Sequence, residues 1–280
     1  MIDNGYSVLM SVYQKEHPEY FRAALDSIRR QTLPAGEIIL VCDGPLTKEL
    51  DQIIEEFYSA FSNMQVIRLP ENHGLGYALA KGLSHCSFDL VARMDTDDIA
   101  VRDRCEAQAA FLQEHPDIDV LSGTLEEFEG EAVTPEEAAG QVLSRKELPI
   151  SHEAISDYMK YRNPVNHPCV MFRKSQVEAA GDYQPCAFFE DYDLWARMLR
   201  NHSRFANLSH NLLYMRVNHM HSRRGGLGYA KAITAFQFRL YRYGVIRLPQ
   251  LFYGVALRVT VSILPNWARK RIYDAKLRKH

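Results

Sequence analysis

Four short apolar runs rich in β-branched residues, three of them followed by a segment with helical spacing, fill the first hundred positions and leave few folds open. The runs lie near Tyr6–Val12, Glu37–Cys42, Met64–Leu69 and Phe88–Met94. Within Pro18–Gln31, the residues Tyr20, Phe21, Ala24, Leu25 and Ile28 form one apolar stripe behind a proline suited to a first helical turn. Leu46, Leu50, Ile53, Ile54 and Phe57 repeat that spacing, and a third crossover opens at Asn72-His73-Gly74-Leu75-Gly76 and continues as YALAKGL. Crossovers of this kind join parallel strands, so the expectation is an α/β fold with a mostly parallel central sheet flanked by helices. Ligands of such sheets bind beyond the carboxyl ends of the strands. Those ends carry Gln14-Lys15-Glu16, Asp43-Gly44, Glu71-Asn72 and Asp95-Thr96-Asp97-Asp98.

The second half is less regular. Glu126–Glu137 holds six glutamates without an apolar period and reads as an exposed loop or sheet edge. Pro168–Phe172 reads as a strand, and a helix from Glu190 to Asn201 places Leu194, Trp195, Met198 and Leu199 on one side. With 280 residues, 46% of them hydrophobic, the chain has ample material for a core and is not a disordered one. Its five cysteines form no C-x-x-C pair, which disfavours a disulfide lattice or structural zinc, and MIDNGYSVLM lacks a secretion pattern, so a reducing cytoplasm is expected. The net charge of −2 hides an asymmetry: ten Lys/Arg and one Asp give residues 236–280 a charge of +9, leaving −11 on the first 235. The run LFYGVALRVTVSILP, interrupted by Arg258 and followed by Trp267 and Tyr273, is too short to span a bilayer. It reads as an amphipathic element for an anionic membrane interface, or as a pair of packing helices with a solvated basic face.

Asp95 and Asp97 stand two apart after an apolar strand, and in extended chain both carboxylates would share one face, about 7 Å apart. Hard oxygen ligands suit Mg²⁺ or Mn²⁺ shared with a diphosphate, the alternative being an acidic turn or helix cap. Asp43 can accept hydrogen bonds from a base or ribose, or simply form a turn with Gly44. Gly74 and Gly76 let backbone N–H groups approach a phosphate, without the third glycine of a dinucleotide site or the Lys-Ser/Thr of a P-loop. Glu190 and Asp191 open the late helix, where acids complement the helix dipole. Asp191 also precedes Leu194, Trp195 and Met198 by three, four and seven residues, along the inward stripe, and a carboxylate at an apolar wall suits a general base. His167, His219 and His221 are candidates for acceptor contact or a metal, against the reading as structural histidines. Arg216, Arg223 and Arg224 can form a cationic flap for phosphate oxygens, hinged at Gly225-Gly226, or be solvated surface arginines.

The segments SVLMSVYQKEHPEYFRAALDSIRRQTLPAGEIILVCDGP, ENHGLGYALAKGL and DLVARMDTDDIAVRDRCEAQ, in that order, resemble the family 2 glycosyltransferases of bacterial surface-polysaccharide assembly, including amylovoran, capsule and O-antigen enzymes. The resemblance covers residues 6–225. It implies a GT-A fold and inverting transfer of one sugar from a nucleoside-diphosphate sugar, with UDP expected, to a hydroxyl of a glycan or lipid-linked oligosaccharide. It implies Mn²⁺ or Mg²⁺ on Asp97 and Asp95, with Asp95 nearer the ribose, and nucleotide contacts from Glu16, Asp43, Asn72, Gly74, Gly76, Lys81 and Asp95. The E-D pair falls on Glu190-Asp191, with Asp191 the base. The Q-x-x-R-W signature of processive synthases is replaced by His221-Ser222-Arg223-Arg224, which points to single additions. Residues 1–100 would bind the nucleotide sugar, 101–225 the acceptor, and 226–280 would be a basic helical extension. The expected setting is peripheral, on the inner face of the cytoplasmic membrane, beside other polysaccharide-assembly enzymes and without nucleic acid.

Two alternatives compete. A haloacid-dehalogenase-like phosphatase also carries D-x-D after a strand, although it wants Thr or Val where this chain has Ile99, and its first Asp follows the first strand. A catalytically silent sugar-nucleotide-binding subunit would bind donor without turnover.

Overall fold

The β-branched runs pack on both faces, as strands do in a parallel sheet covered by helices on each side. The computed structural model describes residues 5–61, 63–218 and 226–263. The first half contains β1 (Tyr6–Val12), α1 (Pro18–Arg29), β2 (Glu37–Cys42), α2 (Lys48–Ala60), β3 (Met64–Arg68), α3 (Leu75–Leu83) and β4 (Leu90–Met94). There follow β5 (Ile99–Ala100), α4 (Arg104–Glu114), β6 (Val120–Phe128), α5 (Pro135–Ala139), β7 (Val142–Lys146) and α6 (His152–Tyr158). After a 3₁₀ turn at His167–Cys169 come β8 (Met171–Arg173), α7 (Lys174–Ala179), α8 (Glu190–Arg200), β9 (Phe205–Arg216), α9 (Leu227–Arg242) and α10 (Leu248–Ile263).

The strands form one sheet in the order β3-β2-β1-β4-β8-β6-β9-β5, with β7 paired to β6. From β3 to β4 every pairing is parallel. β8 runs antiparallel to β4 and to β6, β6 is parallel to β9, and β5 and β7 join antiparallel. The mostly parallel expectation thus describes the first half, and the second half is mixed. In register, Val12 faces Cys42 and Met10 faces Met94, so Asp43 and Asp95 leave the two strands that flank β1 at the same edge. Alternation separates two cores. Val8, Met10 and Leu40 meet Leu25 and Phe57 on one face, while Leu9 and Ile39 meet Leu79 and Leu83 on the other, in a cluster that continues to Trp195, Phe205 and Phe236.

Three local expectations change. The glutamate-rich segment is not all loop or edge: Glu126–Phe128 lie in β6 between β7 and β9, where Phe128 is fully buried. Pro168 sits in the 3₁₀ turn and pairing starts only at Met171. Leu46 precedes α2, which is capped by Thr47, whose hydroxyl accepts the Leu50 N–H at 3.4 Å. The five cysteines are free thiols, Cys42, Cys86, Cys105 and Cys169 being buried.

Candidate active site

Asp95–Asp98 link β4 to β5 as a turn rather than the extended run expected, so the two carboxylates are not simply alternate residues on one strand face. Buried Arg93, the penultimate residue of β4, sends both terminal nitrogens to Asp95, Nη1 reaching Oδ2 at 2.8 Å. Thr96 donates to Glu16 Oε2 at 2.7 Å, which draws the loop after β1 onto the same turn. Asp98 is buried, accepts the Arg216 N–H at 2.9 Å, and leaves Oδ2 without a partner among the described residues. Arg216, expected in a mobile phosphate-binding flap, is instead a buried strut. Its guanidinium lies 3.7 Å over the Tyr20 ring and donates to the carbonyls of Asp97 at 3.0 Å, Ala132 at 2.6 Å and Gly130. A guanidinium has no acceptor capacity, and carbonyls with aromatic faces satisfy it here without a ligand.

This turn holds more negative charge than its two arginines offset. Burial first, then the Asp95 and Glu16 carboxylates, push the Asp97 carboxyl up to about 7. Burial also raises Glu16, and it raises Asp98 well above the ordinary range with help from Asp97 and Asp95. Among the described residues no three His, Cys, Asp or Glu side chains form a ready cage for a metal. The donor set nevertheless fits a hard divalent cation that takes one or two carboxylates and completes its shell with water and phosphate oxygens. Both Asp95 oxygens are taken by Arg93, whereas Asp98 Oδ2 has no partner among the described residues.

The opposite wall is the start of α8. Burial, then Asp191, pushes Glu190 up to about 7, with Arg93 opposing and Asp95 reinforcing the rise. Asp191 is raised by burial, against hydrogen bonds from the Tyr192 N–H at 2.7 Å and the Asn163 amide at 2.5 Å and the pull of Arg93. Arg93 is therefore a counter-charge common to Asp95, Glu190 and Asp191. The start of α3 lies against this wall: a Cβ on Gly76 would stand 3.2 Å from Glu190 Cβ, and Gly74 caps the helix at φ +90. Asp43, buried after β2, accepts from Asn72 Nδ2 at 2.9 Å and from the N–H groups of His73 and Gly74 at 2.8 and 2.9 Å. Asp43 and Asn72 thus clasp the loop that presents α3.

His167 is a core histidine, its Nε2 2.9 Å from the Tyr183 hydroxyl and its ring edge-on to Trp195. Burial, and then Arg93, hold it well below its ordinary value, so it stays neutral. Lys81 is exposed in the last turn of α3, about 9 Å along the axis from Leu75. His219, His221, Arg223 and Arg224 lie outside the described residues. Sequence reading passed over Arg93 and Asn163. An arginine inside the apolar run before an acidic turn was a usable signal for the first, whereas nothing local marks Asn163.

The family model for glycosyl transferase family 2 matches residues 7–179. The amylovoran biosynthesis glycosyltransferase AmsE of Erwinia amylovora is 37% identical over 96% of this chain and 98% of its own. The UDP-Gal:α-D-GlcNAc-diphosphoundecaprenol β-1,3-galactosyltransferase of Escherichia coli is 35% identical over 98% and 97%. Among solved structures, S. aureus TarS in complex with UDP-GlcNAc superposes with a TM-score of 0.64 at 21% identity, covering 84% of this chain and 66% of that one. The mannosyltransferase PcManGT of Pyrobaculum calidifontis, in complex with GDP-Man and Mn²⁺, has a TM-score of 0.64 at 14% identity, covering 97% and 80%. The phosphatase alternative falls with these matches and with the position of Asp95 after the fourth strand. The chain belongs to glycosyl transferase family 2 and has the GT-A fold.

Proposed function

We propose that the protein is an inverting transferase that moves one sugar from a UDP-sugar to a hydroxyl of a lipid-linked glycan in surface-polysaccharide assembly, at the inner face of the cytoplasmic membrane. The observation that carries the reading is the pairing of two acidic walls with Arg93 as their common counter-charge. The donor class and the lipid-linked acceptor take support from the relatives, one acting on a diphosphoundecaprenol-linked sugar. In this assignment residues 1–100 hold the nucleotide sugar and 101–225 shape the acceptor side.

Asp191, oriented by Asn163, takes the proton of the acceptor hydroxyl on a carboxylate oxygen. The freed electron pair attacks the anomeric carbon from the face opposite the diphosphate and forms the new C–O bond, while the old anomeric C–O bond breaks and its bonding electrons leave with the diphosphate. Burial makes Asp191 a stronger base than an exposed aspartate, while Arg93 keeps it from staying protonated. Mn²⁺ or Mg²⁺, when bound, would stabilise the charge that develops on the leaving diphosphate. Asp97 would hold it, the Arg216 strut fixing the Asp97 peptide and Arg93 fixing Asp95 toward the ribose. The loop 72–74, clasped by Asp43, presents the nucleotide-facing start of α3 with Gly74 and Gly76.

Asp191→Asn should lower the transfer rate by about 10²–10⁴ while donor still binds in the presence of Mn²⁺. Transfer would be followed with UDP-sugars and a synthetic lipid-diphosphate acceptor, and donor binding by calorimetry. Turnover near the wild-type rate in Asp191→Asn would refute the assignment of the base. Loss in Glu190→Gln alone would move that role one residue back.

A further inference from the structure

α10 has two unlike sides. Leu251, Val255 and Val259 pack against the core beneath them, and Gly254 approaches buried Gln237 of α9 so closely that a Cβ would lie 2.5 Å from its Oε1. Leu248, Phe252, Tyr253 and Leu257 are exposed, Phe252 at 67% and Tyr253 at 65%. Arg258, the only charged residue of α10, donates its guanidinium to the Tyr161 carbonyl and does not break up this apolar side. Large aromatic and aliphatic side chains grouped on one helix and left in water mark a surface that is covered in use.

Charge says by what. Arg242 and Arg247 are exposed at the turn between α9 and α10, and residues 236–280 carry ten Lys/Arg against Asp274. A second copy docked through this face would bring Arg242 and Arg247 of one copy toward those of the other, whereas an anionic lipid leaflet complements both the apolar side and these two arginines. No helix among the described residues is long and apolar enough to cross a membrane, so α10 would lie along the interface. The same helix reaches toward the candidate base. Gln250 donates to the Tyr161 hydroxyl at 3.3 Å and Arg258 to its carbonyl, and Asn163, two residues on, holds Asp191.

We propose that the exposed face of α10 docks on an anionic lipid surface and thereby turns the loop carrying Tyr161 and Asn163 toward acceptors embedded in that surface. The docking half stands without the catalytic reading, and the orienting half rests on it. The test uses the full chain with vesicles of phosphatidylcholine alone or with phosphatidylglycerol, at low and high salt, read by co-sedimentation. Wild type should pellet with the anionic vesicles at low salt and lose most binding with the neutral ones or at high salt. The double variant F252E/Y253E, and separately Leu257→Ser, should lower the vesicle partition coefficient by about tenfold or more with an unchanged circular-dichroism melt. Transfer to a water-soluble acceptor should stay at the wild-type rate in these variants, while transfer to a vesicle-embedded acceptor falls.

Unchanged partition in F252E/Y253E overturns the docking face, as does a wild-type dimer that the same pair dissociates. Wild type left in the supernatant with anionic vesicles overturns it too. Transfer to the soluble acceptor separates this outcome from failure of the catalytic assignment, because that activity requires Asp191 and not the lipid.

Discussion

Stripping divalent cations and then raising the pH should weaken the fold, and the acidic turn after β4 sets the size of the effect. Burial with the Asp95 and Glu16 carboxylates lifts Asp97 from its ordinary 3.8 to about 7. An acid whose value is higher folded than unfolded favours the fold while it is protonated. Its contribution is complete below about pH 4 and is lost as the pH rises through about 7. At about 1.4 kcal/mol for each pH unit between the two values, the loss is bounded at about 4.5 kcal/mol, and the solvent-open part of the carboxylate brings the expected figure to about 2. A cation needs the ionised carboxylate, so Mn²⁺ should stabilise the protein most above about pH 7, its apparent affinity falling about tenfold per unit below that. Melting temperatures of EDTA-treated wild type and Asp97→Asn, with and without Mn²⁺ across this range, measure both effects. In Asp97→Asn the Mn²⁺ response should vanish and the pH slope should shrink to what the other raised acids, Glu16, Asp98, Glu190 and Asp191 among them, contribute. A Mn²⁺ response in wild type that ignores pH, or an undiminished slope in Asp97→Asn, would refute the reasoning.

Gly76→Ala adds a methyl 3.2 Å from Glu190 Cβ, so it should raise the donor KM severalfold while unfolding free energy stays within about 1 kcal/mol of wild type; an unaltered KM would show that the two helices have room to spare. Asp193, fully buried, accepts from Arg197 Nε at 2.9 Å and from Arg239 and Tyr243 at 3.2 Å, tying α9 to α8. Asp193→Asn leaves buried Arg197 without its counter-charge and should cost about 3–5 kcal/mol in urea unfolding, and a loss below about 1 would contradict the buried-pair account.

The parallel half of the sheet was legible because its information is local. β-branched runs, a proline at the start of α1 and the apolar stripe on α2 each state their geometry within a dozen residues, and β1 and β2 occupy the predicted spans. The mixed half was less so. Glu126 and Glu127 read as loop because glutamate has no strand signature, yet they are carried in β6 by Leu125 and Phe128, which are anchored by neighbours far away in the chain.

By itself, the order of residues determined that acids would gather at one sheet edge, since parallel strands joined by helices all end on the same side. It could not say which charged side chains reach solvent. As isolated letters, Arg216 and His167 stood open between ligand contact and a bland role, and only tertiary packing put one against Tyr20 and backbone carbonyls and the other against Tyr183 and Trp195. Arg93 was likewise hidden in a hydrophobic run until the approach of α8 made it the shared partner of three carboxylates. A buried ion's role is set by what surrounds it in space, and those neighbours arrive from segments up to about two hundred residues away, as Tyr20 does for Arg216, beyond the reach of any local pattern.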